Sequence, residues 1–136
     1  MEELKNDFLK NADSAAVARA AVGVLIEKKA LDVRLYEVGE ENPITDFYVN
    51  ATGRSSTQVA SLADEVVYKL GLQGKDALRV EGRRGGNWVL IDFSDVIVNV
   101  FDRESRDFYN LDRLMPRGAE KDISDIVAEI DKKLEI

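Results

Sequence analysis

The chain contains neither cysteine nor histidine. Without cysteine there are no disulfides, thiol nucleophiles or iron–sulfur ligands, a composition suited to a reducing cytoplasm. Without histidine, the commonest general base and the commonest transition-metal ligand are both missing. A Ser-His-Asp triad and a histidine-based zinc site are therefore excluded. No apolar run approaches the length of a membrane span, and Met1–Lys10 lacks the charged-then-apolar pattern of a signal peptide. No membrane partner is expected. Basic residues are in deficit too: 19 Lys and Arg against 26 Asp and Glu give a formal net charge of −7. A protein held mainly by nucleic-acid phosphate relies on a basic patch, so that class is disfavoured. The acidity either solubilises the surface or speeds encounter with a basic partner.

What is present fits one domain. A chain of 136 residues, 45% hydrophobic and 33% charged, can bury a sizeable core. Gly86–Phe101, GNWVLIDFSDVIVNVF, reads as two strands, Asn87–Phe93 and Val96–Phe101, joined at Ser94-Asp95. A two-residue turn there sets Phe93 against Val96, Ile91 against Val98 and Val89 against Val100, an apolar face that must be covered. The other face sets Asp92 against Ile97, Leu90 against Asn99 and Trp88 against Phe101. This face mixes polar groups with the only tryptophan.

Along the rest of the chain the period alternates between helix and strand. Residues 1–13 read as an N-terminal arm or short helix. A helix capped by Asp13 or Ser14 carries Val17, Ala20, Ala21, Val24 and Leu25 on one stripe and ends near Lys28–Lys29. Strands follow at Leu31–Val38 and Asp46–Thr52, separated by the turn-rich Gly39–Pro43. Ser55 and Gln58 stand in capping-box spacing before a second helix with Val59, Leu62, Ala63, Val66, Val67 and Leu70. A short strand, Leu78–Glu81, and a basic turn, Gly82–Gly86, lead into the hairpin. Beyond Phe101 a short helix and an ordered extended segment are expected, then a break at Pro116–Gly118. An amphipathic helix from Asp122 occupies the extension 116–136. The order predicts an α/β fold: one mixed sheet of about five strands flanked by helices.

The runs TDFYVNATGRSSTQVASLADEVVYKL and LRVEGRRGGNWVLIDFSDVIVNVFDRESRDFYNLDRL resemble the Iojap family, the bacterial ribosomal silencing factors. The likeness spans residues 20–115, with seven motifs in register. It implies a nucleotidyltransferase-like layer without the catalytic motifs and a binding protein rather than an enzyme, with no cofactor. The implied partner is the large ribosomal subunit, mainly ribosomal protein L-fourteen. Subunit joining is then blocked sterically, which represses translation under nutrient limitation. Free members of the family are often homodimers. Ser94, Asn99 and Met115 depart from the family pattern, where glycine, histidine and tryptophan are common.

Seven residues are candidates for partner binding. Trp88 is an aromatic anchor or a covered sheet residue. Phe93, Ser94 and Asp95 form the hairpin end, where an exposed Phe93 edge and a carboxylate would meet a basic, partly apolar patch. Tyr109 either extends that surface or pins the last family segment to the sheet. Arg83 and Arg84, with Arg79 nearby, form a solvated turn or touch ribosomal RNA phosphates. The competing reading is a nucleotide-binding or nucleotidyltransferase role for Gly53–Ser56, between a strand and a capped helix, where free amides favour anions. It would need a close carboxylate pair for magnesium, and Asp92 and Asp95 are the nearest. That loop is too short for a P-loop and lacks its lysine.

Overall fold

The structure, a computed structural model, describes residues 5–40 and 42–134. The elements run α1 (Ser14–Glu27), β1 (Leu31–Glu37), β2 (Phe47–Gly53), α2 (Ser56–Leu72), β3 (Arg79–Glu81), β4 (Trp88–Asp92), β5 (Val96–Asp102), α3 (Arg103–Tyr109), a 3-10 turn (Leu111–Leu114), β6 (Glu120–Lys121) and α4 (Ser124–Leu134). Within the expected arm 1–13, residues 1–4 lie outside the described ones. The remainder is a turn, pinned to the end of α2 where Asn6 and Leu9 donate to the Leu72 and Gln73 carbonyls. Residues 135–136 of the extension also lie outside.

Both long helices start where their caps place them. The Asp13 carboxylate accepts from the Ala16 amide at 2.9 Å, and the Ser55 hydroxyl accepts from Gln58 at 3.1 Å. Such a cap is worth roughly 1 kcal/mol, since it satisfies amides that a helix start leaves unpaired. The buried positions of α2 are Val59, Leu62, Ala63, Val66 and Leu70, the stripe the period predicts. On α1 the buried set is Val17, Ala18, Ala21, Val22 and Leu25, with Ala20 and Val24 of the expected stripe only half-buried, because that helix meets the sheet, α2 and α4 at once. Ile126 of α4 is buried against it, and the flanking pairs Arg19–Asp125 and Lys133–Glu27 bracket the contact.

The sheet has six strands, in the order β3-β4-β5-β2-β1-β6, rather than about five. The extra strand, β6, is two residues long and has no apolar pattern to announce it. Only β2 and β5 pair in parallel; the other neighbours are antiparallel. The hairpin register is the predicted one, from Trp88↔Phe101 through Asp92↔Ile97, closed by the Phe93 amide on the Val96 carbonyl at 2.9 Å. One departure falls in β1. The residue spacing shifts between Leu31 and Arg34, and Asp32 takes a positive φ of 46°. This bulge moves Leu31 to the Thr52 side of the sheet, away from Leu35, and breaks the simple alternation expected along the strand.

The two sheet faces differ in kind. Phe47, Val49, Ala51, Val89, Ile91, Phe93, Val96, Val98 and Val100 join the side chains of α1 and α2 in one core. Each of the larger side chains contributes roughly 1.5–3 kcal/mol when fully buried. The opposite face presents Tyr48, Asn50, Thr52, Trp88, Leu90, Asp92, Ile97, Asn99 and Phe101, and among the described residues it is covered in part by α3, the 3-10 turn and Met115. Gly82 matters to that face. Its φ is +83°, and a Cβ there would stand 2.1 Å from the Trp88 carbonyl oxygen. Only glycine lets the turn pass so close to the start of β4.

Candidate partner-binding face

The half-covered face of the sheet is built around one carboxylate. After β5, Asp102 caps α3 by accepting from the Ser105 amide at 2.7 Å. Asn110, at φ 47°, then turns the chain into the 3-10 segment. This reversal places Arg106 and Asp112 beneath the surface, over β1 and β2. The Asp112 carboxylate accepts from Arg106 Nε at 2.7 Å and Nη2 at 3.1 Å, from the Tyr36 hydroxyl at 2.7 Å and from Asn50 Nδ2 at 3.1 Å. Arg106 is only 7% exposed and also donates to the Thr52 hydroxyl and the Asp32 carbonyl.

Burial alone would raise the Asp112 pKa. The hydrogen bonds from Arg106, Tyr36 and Asn50 and the guanidinium charge outweigh it and hold the carboxyl at about 2. Tyr36 is pushed well above the ordinary phenol range by burial, then by the bond it donates to Asp112. Sequence reading misses this hub, because Tyr36, Asn50, Arg106 and Asp112 come from four separate elements. Only the long polar side chains on otherwise ordinary elements hint at it.

Above the hub lies an aromatic cluster. Trp88 stacks on Phe101 with ring centroids 5.2 Å apart and meets Tyr109 at 4.8 Å; Phe108 packs edge-on against Tyr109 at 5.0 Å. Phe108 is 78% exposed, Tyr109 48% and, further along the 3-10 turn, Leu114 73%. Arg106 is the side of α3 that faces the sheet, so Phe108 is turned outward by the same helical geometry. The strip continues to a pocket lined by Val38, Asn42, Tyr48, Leu111, Leu114, Met115 and Pro116. Phe108 and Leu114 carry no local signal of this role. Their exposure depends on what the neighbouring elements leave uncovered.

The sequence candidates divide accordingly. Trp88 and Tyr109 are brought together. Ser94 and Asp95 sit at the far end of the hairpin, six residues or about 20 Å along an extended chain. Phe93 requires a correction: its ring is fully buried in the core, so no exposed Phe93 edge exists at the turn. Strand parity decides this, because Phe93 shares the face of Ile91 and Val89. Ser94 carries φ 80°, the left-handed region that favours glycine, and its amide donates to Asp92 Oδ1 at 2.7 Å. Asp95 faces Lys75 Nζ at 3.7 Å.

The basic cluster is largely neutralised at home. Arg83 clasps Asp64 of α2 through two bonds of 2.9 Å, and Arg79 pairs with Asp92 at 3.2 Å. Arg84 is exposed. In the Gly53–Ser56 loop, the Arg54 amide donates to Gln58 Oε1 at 2.6 Å, and Ser55 already caps Gln58. Two amides that would cradle an anion are thus engaged. Asp92 is held by Arg79 and the Ser94 amide, and Asp95 lies near Lys75. Among the described residues, no group of three or more acidic, histidine or cysteine side chains is placed to hold a metal, and no helix is long and apolar enough to cross a membrane.

Comparison with known proteins agrees with this architecture. The family model described as "Ribosomal silencing factor during starvation" matches residues 11–135. A protein named ribosomal silencing factor RsfS from Halalkalibacterium halodurans is 37% identical over 94 residues, 69% of this chain and 80% of that one. Another from Zymomonas mobilis is 31% identical over 110 residues, covering 81% and 83%. A crystal structure of a Chromobacterium violaceum protein superposes with a TM-score of 0.75 at 31% identity, covering 82% of this chain and 91% of that one. One from Bacillus halodurans gives 0.70 at 32% identity, covering 80% and 99%. On the family model and these relatives together, the chain belongs to the ribosomal silencing factor family.

Proposed function

We propose that this chain docks on the large ribosomal subunit, mainly on ribosomal protein L-fourteen, and keeps the small subunit from joining. Translation is then damped when nutrients are limiting, in the cytoplasm where the ribosomes work. Occlusion makes or breaks no bond, so the protein acts as a plug and not as an enzyme. One observation carries this reading: exposed Phe108, Tyr109 and Leu114, with the half-buried Trp88 packed against Tyr109, form an apolar strip on a sheet face that the described helices leave half open. Aromatic residues packed around a rigid tryptophan are the usual energetic centre of a protein–protein contact. The net charge of −7 complements a basic partner and favours fast encounter.

Trp88→Ala tests the reading. Its expected effect is a loss of co-sedimentation with large subunits equivalent to about 2 kcal/mol, near 30-fold, while the thermal melt remains cooperative. Wild-type binding by this variant would remove Trp88 from the docking surface. A minor contact with ribosomal RNA phosphate falls to Arg84, since Arg83 is occupied by Asp64. Arg84→Glu should lower the slope of binding against salt by about one phosphate contact. An unchanged slope assigns Arg84 to solubility.

When free of the ribosome, the chain is proposed to pair with a second copy. β3 is an edge strand with Val80 exposed, and Leu78 just before it is exposed too. Antiparallel pairing of two such strands about Val80 would set Arg79 of each opposite Glu81 of the other, a charge-matched seam. Equilibrium sedimentation of Val80→Lys reads this directly: a dimer that survives the change is not joined there.

A further inference from the structure

We infer that Asn50 and Asn99 are positioning residues that lock the Trp88 indole to the Asp112 hub, so that the aromatic strip is presented preformed. The relevance of this lock to binding rests on the docking reading above; the lock itself does not.

Three bonds make the connection. Trp88 Nε1 donates to Asn99 Oδ1 at 2.9 Å, Asn99 Nδ2 donates to Asn50 Oδ1 at 3.1 Å, and Asn50 Nδ2 donates to Asp112 Oδ1 at 3.1 Å. Asn50 and Asn99 stand directly opposite each other in the parallel β2–β5 pair, so the sheet register itself sets their separation. Both are fully buried.

The chemistry of the two ends fixes the direction of the whole chain. An indole N–H can only donate, so Asn99 must turn its oxygen to Trp88 and its NH₂ to Asn50. An ionised carboxylate can only accept, so Asn50 must turn its NH₂ to Asp112 and its oxygen back to Asn99. The two requirements, imposed from opposite ends, are met by one arrangement. Flipping either amide would set two donors or two acceptors against each other. A buried amide left in that state costs far more than the bond is worth, which makes the orientation rigid.

An aromatic anchor needs such restraint. Stacking on Phe101 and contact with Tyr109 fix the plane of the indole but leave it free to slide. A directional bond at Nε1 removes that freedom before a partner arrives, so the ordering entropy is not lost on binding. Through Asp112 and Arg106 the same bonds tie Trp88 to α3 and the 3-10 turn, which carry Phe108, Tyr109 and Leu114.

Because the chain has a single tryptophan, one indole N–H cross-peak in a nitrogen–proton correlation spectrum reports on this bond alone. Asn50→Leu is the deciding variant, since Asn50 does not touch Trp88. Its expected effect is roughly fivefold faster hydrogen exchange at the indole N–H, with the amides of β4 and β5 unchanged. Binding to large subunits should weaken by a similar factor. Wild-type exchange at the indole overturns the inference. So does acceleration shared by every sheet amide, which would assign Asn50 to general stability. Asn50→Ala, which adds no bulk, carries the same test if the leucine does not fold. Should Trp88→Ala bind ribosomes normally, the docking reading falls while the exchange measurement still decides the lock.

Discussion

Phe93→Ala is expected to lower stability by about 3–5 kcal/mol, the cost of emptying a large, fully buried aromatic site. For a chain of this size, such a loss moves the melting midpoint down by roughly 10–17 °C. The ring is enclosed in the core formed by α1, α2 and the covered sheet face, where it lies beside Ile91 and Val96. The surroundings are close-packed and relax only in part, so the cavity adds to the lost transfer energy. Binding to large subunits, assayed well below the lowered midpoint, should be close to normal, because no atom of Phe93 reaches the surface. A variant that melts like the wild type but no longer co-sediments would show the opposite: an exposed anchor at the hairpin end. Thermal melts and sedimentation on the same preparation separate the two.

Asp112→Ala is expected to cost about 3 kcal/mol, or near 10 °C in the melting midpoint, and to flatten the acid limb of the stability profile. The loss follows from what remains. Arg106 stays buried under α3 with its charge, and its other carboxylate neighbour, Asp32, is 3.6 Å away and more than half exposed. Tyr36 and Asn50 lose an acceptor at the same time. The pH dependence has a definite sign. The folded Asp112 pKa, about 2, lies below the ordinary carboxylate value of 3.8. Its contribution is therefore complete above about pH 4 and is lost as pH falls through about 2. Part of the surroundings is solvent-exposed, so screening holds this titrating share to roughly 1–2 kcal/mol. Denaturant melts at pH 7, 4 and 2.5 should show the wild type and the variant converging as the pH drops. A variant within about 2 °C of the wild type at pH 7 would remove Asp112 from the centre of the network.

How much of this was legible follows from the range of the signal. The hairpin was read down to its register, because alternation along two adjacent strands and a two-residue turn leave only one pairing that puts all the valines on one side. The α2 stripe and its Ser55 cap were read for the same reason. Phe93 shows the limit of overriding such a rule. Parity assigned it to the core, the idea of a protruding strand end assigned it to the surface, and the core position prevailed. β6 has no sequence signature, because two charged residues carry no periodicity; their pairing with β1 is made by the returning chain. The bulge at Asp32 was equally silent, since its positive φ is held from outside by the Arg106 bond to the Asp32 carbonyl.

The sequence by itself determined the apolar faces of α2 and the hairpin, the starts of α1 and α2, and the family, all of which are written in neighbouring residues or in motifs of fixed spacing. Tertiary structure alone decided that β2 lies parallel to β5, which brings Asn50 level with Asn99. It also decided that Asp112 comes to rest against Asn50 and that Phe108 and Leu114 are left uncovered. These last features depend on contacts between segments far apart in the chain. Their geometry is fixed by the packing of whole elements, which no local pattern encodes.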